Sequence, residues 1–328
     1  MTGHVLVAPD KFKGTLTAPR VADAVARGLR EAVPGLDERC LPVVDAAVAA
    51  GFTRIGRWVT GPVGKPVAAS FAVRGDTAVV EVAAASGLAG LHPPAPLTAT
   101  SRGTGELLAC AVDLGCTRIV LGVGGSACTD GGRAMVEALG DRDLSDVEFV
   151  LATDVDNPLL GPTGAAAVYG PQKGATPAEV EVLEERLRAW ADEIGHEHAD
   201  APGAGAAGGI GFAALTLLGA RRRPGIEVVL ELIGFADALP GARLVITGEG
   251  ALDAQTRHGK APAGVAAASG SVPVVAVAGR CEVDPTGLGI RAAYALLDVE
   301  PDITRCVADG ERLLALLAGR IAGDWLEE

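Results

Sequence analysis

Aromatic side chains are nearly absent from this chain. Phe, Trp and Tyr make up 3% of 328 residues, against 49% hydrophobic residues overall. A core must therefore be built from Ala, Val and Leu, and there is enough apolar material for a sizeable one; the length suggests two domains. No apolar run approaches the roughly 18 residues that cross a bilayer, which argues against a membrane protein. Positive charge is also short: 28 Lys and Arg stand against 41 Asp and Glu, for a net charge of −13. That excludes a general nucleic-acid binder, which needs a basic face, and docking on anionic lipid. The six cysteines (Cys40, Cys110, Cys116, Cys128, Cys281, Cys306) form no CxxC pair and no metal-ligand spacing. This usage fits a reducing compartment. The opening residues read as a strand and not as a signal peptide, so a cytoplasmic location is expected.

Lysine is scarcer than arginine. The lysines are Lys11, Lys13, Lys65, Lys173 and Lys260, and all but Lys11 adjoin a glycine. A compact ammonium in a glycine-bounded loop suits close approach to phosphate oxygens. Lys11, Lys13, Lys173 and Lys260 are read this way; Lys65 is not.

What the chain has in quantity is glycine, 45 residues, much of it clustered. The organising stretch runs from Arg243 to Lys260. It begins as a β-branched apolar run and breaks at Gly248. It then gathers Glu249, Asp253, Gln255, Thr256, His258 and Lys260 into one short segment. In open α/β sheets ligands bind beyond the carboxyl ends of strands, so a polar loop after an apolar strand reads as a site. The competing reading is a surface loop capping a helix over 261–268.

The same grammar recurs along the chain. His4 to Ala8 is a strand; the turn after it carries Asp10, Lys11 and Lys13; Ala18 to Ala32 is an amphipathic helix with Thr17 as N-cap. A short helix is expected over 45–50. Arg57 to Thr60, Val67 to Val73 and Thr77 to Val82 form a meander. A helix (Gly103 to Leu114) and a strand (Arg118 to Val123) lead into a glycine-rich turn with Gly124, Gly125, Ser126, Thr129 and Asp130. The helix Arg133 to Leu139 follows. Such a turn can offer backbone N–H groups to an anion, although it matches neither the Walker A nor the dinucleotide pattern. The strand Glu148 to Ala152 ends at Asp154, Asp156 and Asn157. Two carboxylates in D-x-D order are hard oxygen ligands of the kind Mg²⁺ takes beside phosphates; Asn157-Pro158 is also an ordinary turn. Gln172 and Lys173 precede a charged helix, Pro177 to Ile194. A third glycine cluster, Pro202 to Gly211, opens a helix over Phe212 to Leu218. Leu244 to Thr247, Val272 to Val277 and Tyr294 to Leu297 look like parallel strands, and Glu311 to Trp325 is a final helix.

These units imply an α/β protein of two lobes. Residues 1–125 with 240–328 would form a doubly wound, Rossmann-like parallel-sheet lobe built from both termini. Residues 126–239 would form a second α/β lobe inserted in the middle, with the active site expected in the cleft between them. Glycine-rich turns, scattered lysines, a D-x-D pair and an acid/amide/base loop describe phosphoryl transfer, which needs positioning and charge neutralisation more than covalent groups.

Six segments carry a resemblance: Ala8-Pro-Asp-Lys-Phe-Lys-Gly-Thr-Leu-Thr17, Gly124-Gly-Ser-Ala-Cys-Thr-Asp-Gly-Gly132, Asp154-Val-Asp-Asn-Pro-Leu159, Gly170-Pro-Gln-Lys-Gly174, Gly203-Ala-Gly-Ala-Ala-Gly-Gly209 and Ile246-Thr-Gly-Glu-Gly-Ala-Leu-Asp-Ala-Gln-Thr256. In kind and order they resemble the type 1 glycerate kinases, over nearly the whole chain. The resemblance implies ATP-dependent, Mg²⁺-assisted phosphorylation of D-glycerate to 2-phosphoglycerate. It also implies one flavodoxin-like lobe and one lobe resembling restriction endonucleases. The expected partner is the small-molecule substrate, with no nucleic acid and no membrane; a homodimer is left open. On matching positions, Asp253 or Asp10 would orient the glycerate hydroxyl, and Lys13 and Lys260 complete the catalytic candidates. Lys11, Gly124, Gly125, Ser126, Asp130, Asn157, Gln172, Lys173, Glu249 and Gln255 are binding candidates. Asp154 and Asp156 are the metal candidates.

The sequence departs from that family twice. After Leu41-Pro-Val43 the family's acidic glycine motif is missing, and a second segment is missing between Gly140 and Asp141. Two alternatives stand beside the kinase. One is a haloacid-dehalogenase-type phosphatase using Asp154-x-Asp156, although Pro158 stands where that chemistry wants Thr or Val. The other is a catalytically impaired nucleotide- or anion-binding homologue.

Overall fold

A computed structural model describes residues 3–12, 14–40, 50–254, 256 and 261–326. The chain divides into two compact units, Met1–Ala50 with Ile226–Glu328, and Gly51–Gly225. The division is discontinuous, as the recurrence of strand-turn-helix units at both ends suggests. It falls elsewhere than at 125/126 and 239/240, because the meander over residues 53–81 hydrogen-bonds into the sheet of the middle unit.

In chain order, the first unit opens with β1 (His4–Pro9), α1 (Ala18–Ala32) and β2 (Asp37–Cys40). The second unit holds β3 (Thr53–Thr60), β4 (Pro66–Arg74), β5 (Thr77–Glu81), α2 (Val82–Ser86), α3 (Arg102–Asp113), β6 (Arg118–Gly122), α4 (Arg133–Leu139), β7 (Glu148–Ala152), α5 (Ala165–Tyr169), α6 (Pro177–Ile194), α7 (Ala206–Leu217) and β8 (Arg221–Arg223). The chain then passes through α8 (Gly225–Leu232) and α9 (Phe235–Ala238) to β9 (Ala242–Leu252), α10 (Ala261–Ala268), β10 (Val274–Cys281), β11 (Ala292–Ala295), α11 (Ile303–Ala308) and α12 (Gly310–Trp325). The helix expected over 45–50 lies, Ala50 apart, outside the described residues.

The first unit is a parallel sheet of order β11-β10-β9-β1-β2. Strand side chains alternate between faces, and both faces are buried here. Val5, Val7, Ile246 and Val275 join a core with Val21, Val25, Leu29, Leu314 and Ile321. Leu6, Ala8, Val245 and Ala276 join another with Leu230 and Val265. Burial on two faces is why β1 reads as an unbroken apolar run. Thr17 stands at the N-cap of α1 in extended backbone, but its side chain makes no cap hydrogen bond. Pro19, which has no N–H, and its fixed φ start the helix instead.

One expectation is overturned in the strand that matters most. β9 does not break at Gly248; it continues through Glu249 to Leu252, paired in register with β10 as far as Cys281. Gly248 is needed for close approach. A Cβ there would lie 2.4 Å from the Val277 carbonyl oxygen, so no side chain fits between the two strands. The last strand runs over Ala292–Ala295 and yields to a 3-10 turn, Leu296–Asp298, where Tyr294 to Leu297 was expected.

The second unit is a mixed sheet of order β3-β4-β5-β6-β7-β8, antiparallel through β5 and parallel from there. Val80, Ile119, Leu121 and Leu151 pack with Leu107, Leu108, Met135 and Ile210 from the helices. A smaller core forms around Leu183, Leu187, Trp190 and Phe212.

Candidate active site

In the first unit the carboxyl ends of neighbouring strands deliver the acids. Asp10 follows β1, and its N–H donates to the Gly248 carbonyl at 2.7 Å, which ties the start of this turn to β9. Its carboxylate accepts the Lys11 N–H at 2.6 Å. Glu249 lies within β9 and is 8% exposed. The Thr256 hydroxyl donates to Glu249 Oε1 at 2.5 Å, and Thr256 Oγ1 accepts the Asp253 N–H at 3.1 Å. One threonine thus links the buried carboxylate to the backbone of the second acid. A buried charge needs such donors to offset lost hydration.

Asp10, Lys11, Glu249 and Asp253 line one cavity of about 640 Å³, with Arg280 from β10 and apolar groups beyond β11. That volume is within the ordinary range for a small-molecule site. A larger hollow of about 910 Å³ opens between α1 and α12, walled by the ion-paired Arg20 and Glu311. It lies on helix flanks, away from the strand ends where α/β sheets bind ligands. Lys13, Gln255, His258 and Lys260 lie outside the described residues.

In the second unit the glycine motifs do meet, and they meet on each other. Lys173 is 2% exposed. Its Nζ donates to the Cys128 carbonyl at 2.5 Å and to Ser126 Oγ at 2.9 Å, with Thr129 Oγ1 at 3.5 Å. Burial holds this amine below its ordinary value, against the pull of Cys128 and Asp130. Gly208 closes the knot from the third glycine cluster. Its φ is +71°, and a Cβ there would stand 2.2 Å from the Cys128 carbonyl oxygen and 2.9 Å from Lys173 Nζ. The Gly131 N–H donates to the Gly208 carbonyl at 3.0 Å.

Asp130 belongs to the same turn. Its carboxylate accepts from the Ser101 N–H and hydroxyl, each at 2.8 Å, and from the Gly132 N–H at 3.2 Å. Burial pushes its pKa up, and those hydrogen bonds oppose the shift. Gly124 and Gly125 are exposed at the tip.

The loop after β7 is tied down as well. Asp156 pairs with Arg222 at 2.5 Å, and Asp154 accepts the Gly225 N–H at 2.8 Å. Asn157 accepts from Tyr169 Oη at 2.6 Å and donates to the Thr163 carbonyl at 2.8 Å. Gln172 is exposed. Among the described residues no group of three or more His, Cys, Asp or Glu is placed to hold a metal.

Sequence reasoning placed Thr256 in the polar segment without giving it a role, and it did not single out Arg280 or any of the cavity's apolar wall. Thr256 carried a signal, a hydroxyl three residues past Asp253 in a polar turn. Arg280 and the wall carried none, since their strand and helix look ordinary.

Against known proteins, the Glycerate kinase family matches residues 5–144 and 141–326. The two matched segments overlap at residues 141–144. The glycerate kinase of Bacillus subtilis (strain 168) is 42% identical over 344 positions, covering 90% of each chain. Since 90% of 328 residues is about 295, roughly 49 of those positions have no counterpart here. The glycerate 2-kinase of Escherichia coli (strain K12) is 40% identical over 346 positions, 89% of this chain and 90% of that one. A crystal structure from Salmonella typhimurium LT2, described as a candidate glycerate kinase 2, superposes with a TM-score of 0.85 at 36% identity and covers both chains fully.

Proposed function

The chain belongs to the glycerate kinase family, and on that premise we propose that it transfers the γ-phosphoryl group of ATP to D-glycerate, giving 2-phosphoglycerate. The observation that carries this reading is the convergence of Asp10, Glu249 and Asp253 on one cavity at the carboxyl edge of a parallel sheet. Phosphoryl transfer asks the protein for position and charge, and for a carboxylate that orients the attacking hydroxyl. Asp253 takes that role. Thr256 sets the backbone beneath it and holds Glu249 beside it. Lys11 supplies a cation at the same rim.

Mg²⁺ enters as part of the Mg-nucleotide substrate. Asp154 takes a backbone N–H and Asp156 an arginine, and among the described residues no third His, Cys, Asp or Glu joins them to cage a resident ion. A Mg²⁺ carried by phosphate oxygens and water needs only one or two carboxylates. Lys173 acts from within the fold: its ammonium is spent on Ser126 and Cys128, so it shapes the 124–132 turn.

The test is a Mg-ATP assay on D-glycerate with NMR of the product. ADP release strictly dependent on the hydroxy acid, with a 2-phosphoglycerate spectrum, supports the reading. Phosphate release without ATP would favour the phosphatase alternative. Nucleotide binding without turnover would favour the impaired homologue.

A further inference from the structure

The lining of the cavity in the first unit is mixed. The segments around β1 and β9 bring the acids Asp10, Glu249 and Asp253, and the chain beyond β11 brings the apolar Leu297, Ile303 and Val307. Ile303 and Val307 stand four residues apart on α11, hence on one helix face. They are 65% and 52% exposed. Single exposed apolar side chains are ordinary. An adjacent exposed pair that lines a ligand-sized cavity marks a surface that a ligand covers.

A three-carbon hydroxy acid has no apolar face to cover that wall. A nucleobase does: its ring faces are flat and apolar, and its sugar and phosphates lead away from them. We propose that the base of the nucleotide phosphoryl donor packs against Leu297, Ile303 and Val307, with its phosphate chain directed toward the Asp10–Lys11 turn. This assignment rests on the kinase reading for its choice of ligand. It adds where the donor's base lies and leaves the Glu249–Asp253 end of the cavity to the acceptor.

The test uses Val307→Asp and Ile303→Asp, both at exposed positions, with Val182→Asp, an exposed apolar site on α6 that does not line this cavity, as the control. ADP binding is followed by calorimetry, and KM is measured separately for ATP and D-glycerate. The expected result is a loss of about 10-fold or more in ADP affinity and a matching rise in KM for ATP. KM for D-glycerate should be unchanged, and Val182→Asp should behave as wild type. Unchanged nucleotide affinity in both aspartate variants, or a rise confined to D-glycerate, overturns the assignment. If wild-type protein binds ADP but does not phosphorylate D-glycerate, the kinase reading fails, and weaker ADP binding by Val307→Asp still supports the slot. If wild-type protein binds no nucleotide, the slot is wrong as well.

Discussion

The ammonium of Lys173 lies 2.5 Å from the carbonyl oxygen of Cys128, inside the protein and not at its surface. Replacing Lys173 with Met keeps the unbranched stem, one atom shorter, and removes three donors. The Cys128 carbonyl and the Ser126 and Thr129 hydroxyls would lose their buried partner, at a cost of about 2–4 kcal/mol. Urea denaturation checks this. The pH dependence is a second signature. Burial lowers the folded pKa of Lys173 from its ordinary 10.5, so between the folded and unfolded values the unfolded chain binds more protons. Stability from this group therefore rises with pH across that window, is complete above 10.5, and is lost as pH falls through the folded pKa. The half-buried Tyr294 and the buried Cys128, whose pKa values are raised by desolvation, work the other way. The difference between wild type and Lys173→Met isolates the lysine: the destabilisation caused by the substitution should grow as pH rises toward 10.5. A pH-independent difference would mean the amine is solvated.

Asp253→Asn keeps the shape of the side chain and removes its basicity. If Asp253 orients and deprotonates the acceptor hydroxyl, kcat falls by about 10²–10⁴-fold, while ADP affinity changes by less than about 3-fold. Unchanged turnover would remove Asp253 from the reaction and leave Asp10 as the acid to test.

Much of this architecture was legible because parallel strands buried on both faces leave a plain mark. Val5 and Val7 serve one core, Leu6 and Ala8 the other, and the run between Gly3 and Asp10 admits little else. Glycine was the ambiguous letter. Gly248 looks like a strand end, yet it is the point where β9 and β10 approach too closely for a side chain. The same ambiguity hid the direction of Lys173. Its glycine neighbours mark a tight backbone, and a tight backbone serves a buried ammonium as well as a phosphate. Ile303 and Val307 sit on a six-residue helix, too short for a periodic signal.

Gly279 supplies a direct check on the glycine argument. A Cβ on it would stand 2.4 Å from the Gly250 carbonyl oxygen in the neighbouring strand. Gly279→Ala must therefore push β9 and β10 apart beside Arg280 and Ala251, at about 1–3 kcal/mol. Because both strands line the cavity, thermal denaturation should show a lower Tm together with a higher KM for at least one substrate. A loss of Tm with unchanged kinetics would place the strand extension outside the working site.

Thr256 offers the sharpest separation of packing from polarity. Thr256→Val keeps the branched shape and deletes the hydroxyl, leaving Glu249 Oε1 without this donor and the Asp253 N–H without its acceptor. Thr256→Ser keeps the hydroxyl and deletes a methyl group that is fully buried. If the hydroxyl positions the two acids, valine should cost about 1–3 kcal/mol of stability and lower kcat by about 10-fold or more. Serine should lose about 1 kcal/mol of packing and keep kcat close to wild type. Stability alone would not distinguish a local scaffold from an active-site support; the kcat contrast between valine and serine does. Equal kcat values in the two variants would mean that the Glu249–Thr256 hydrogen bond braces the end of β9 without touching the chemistry.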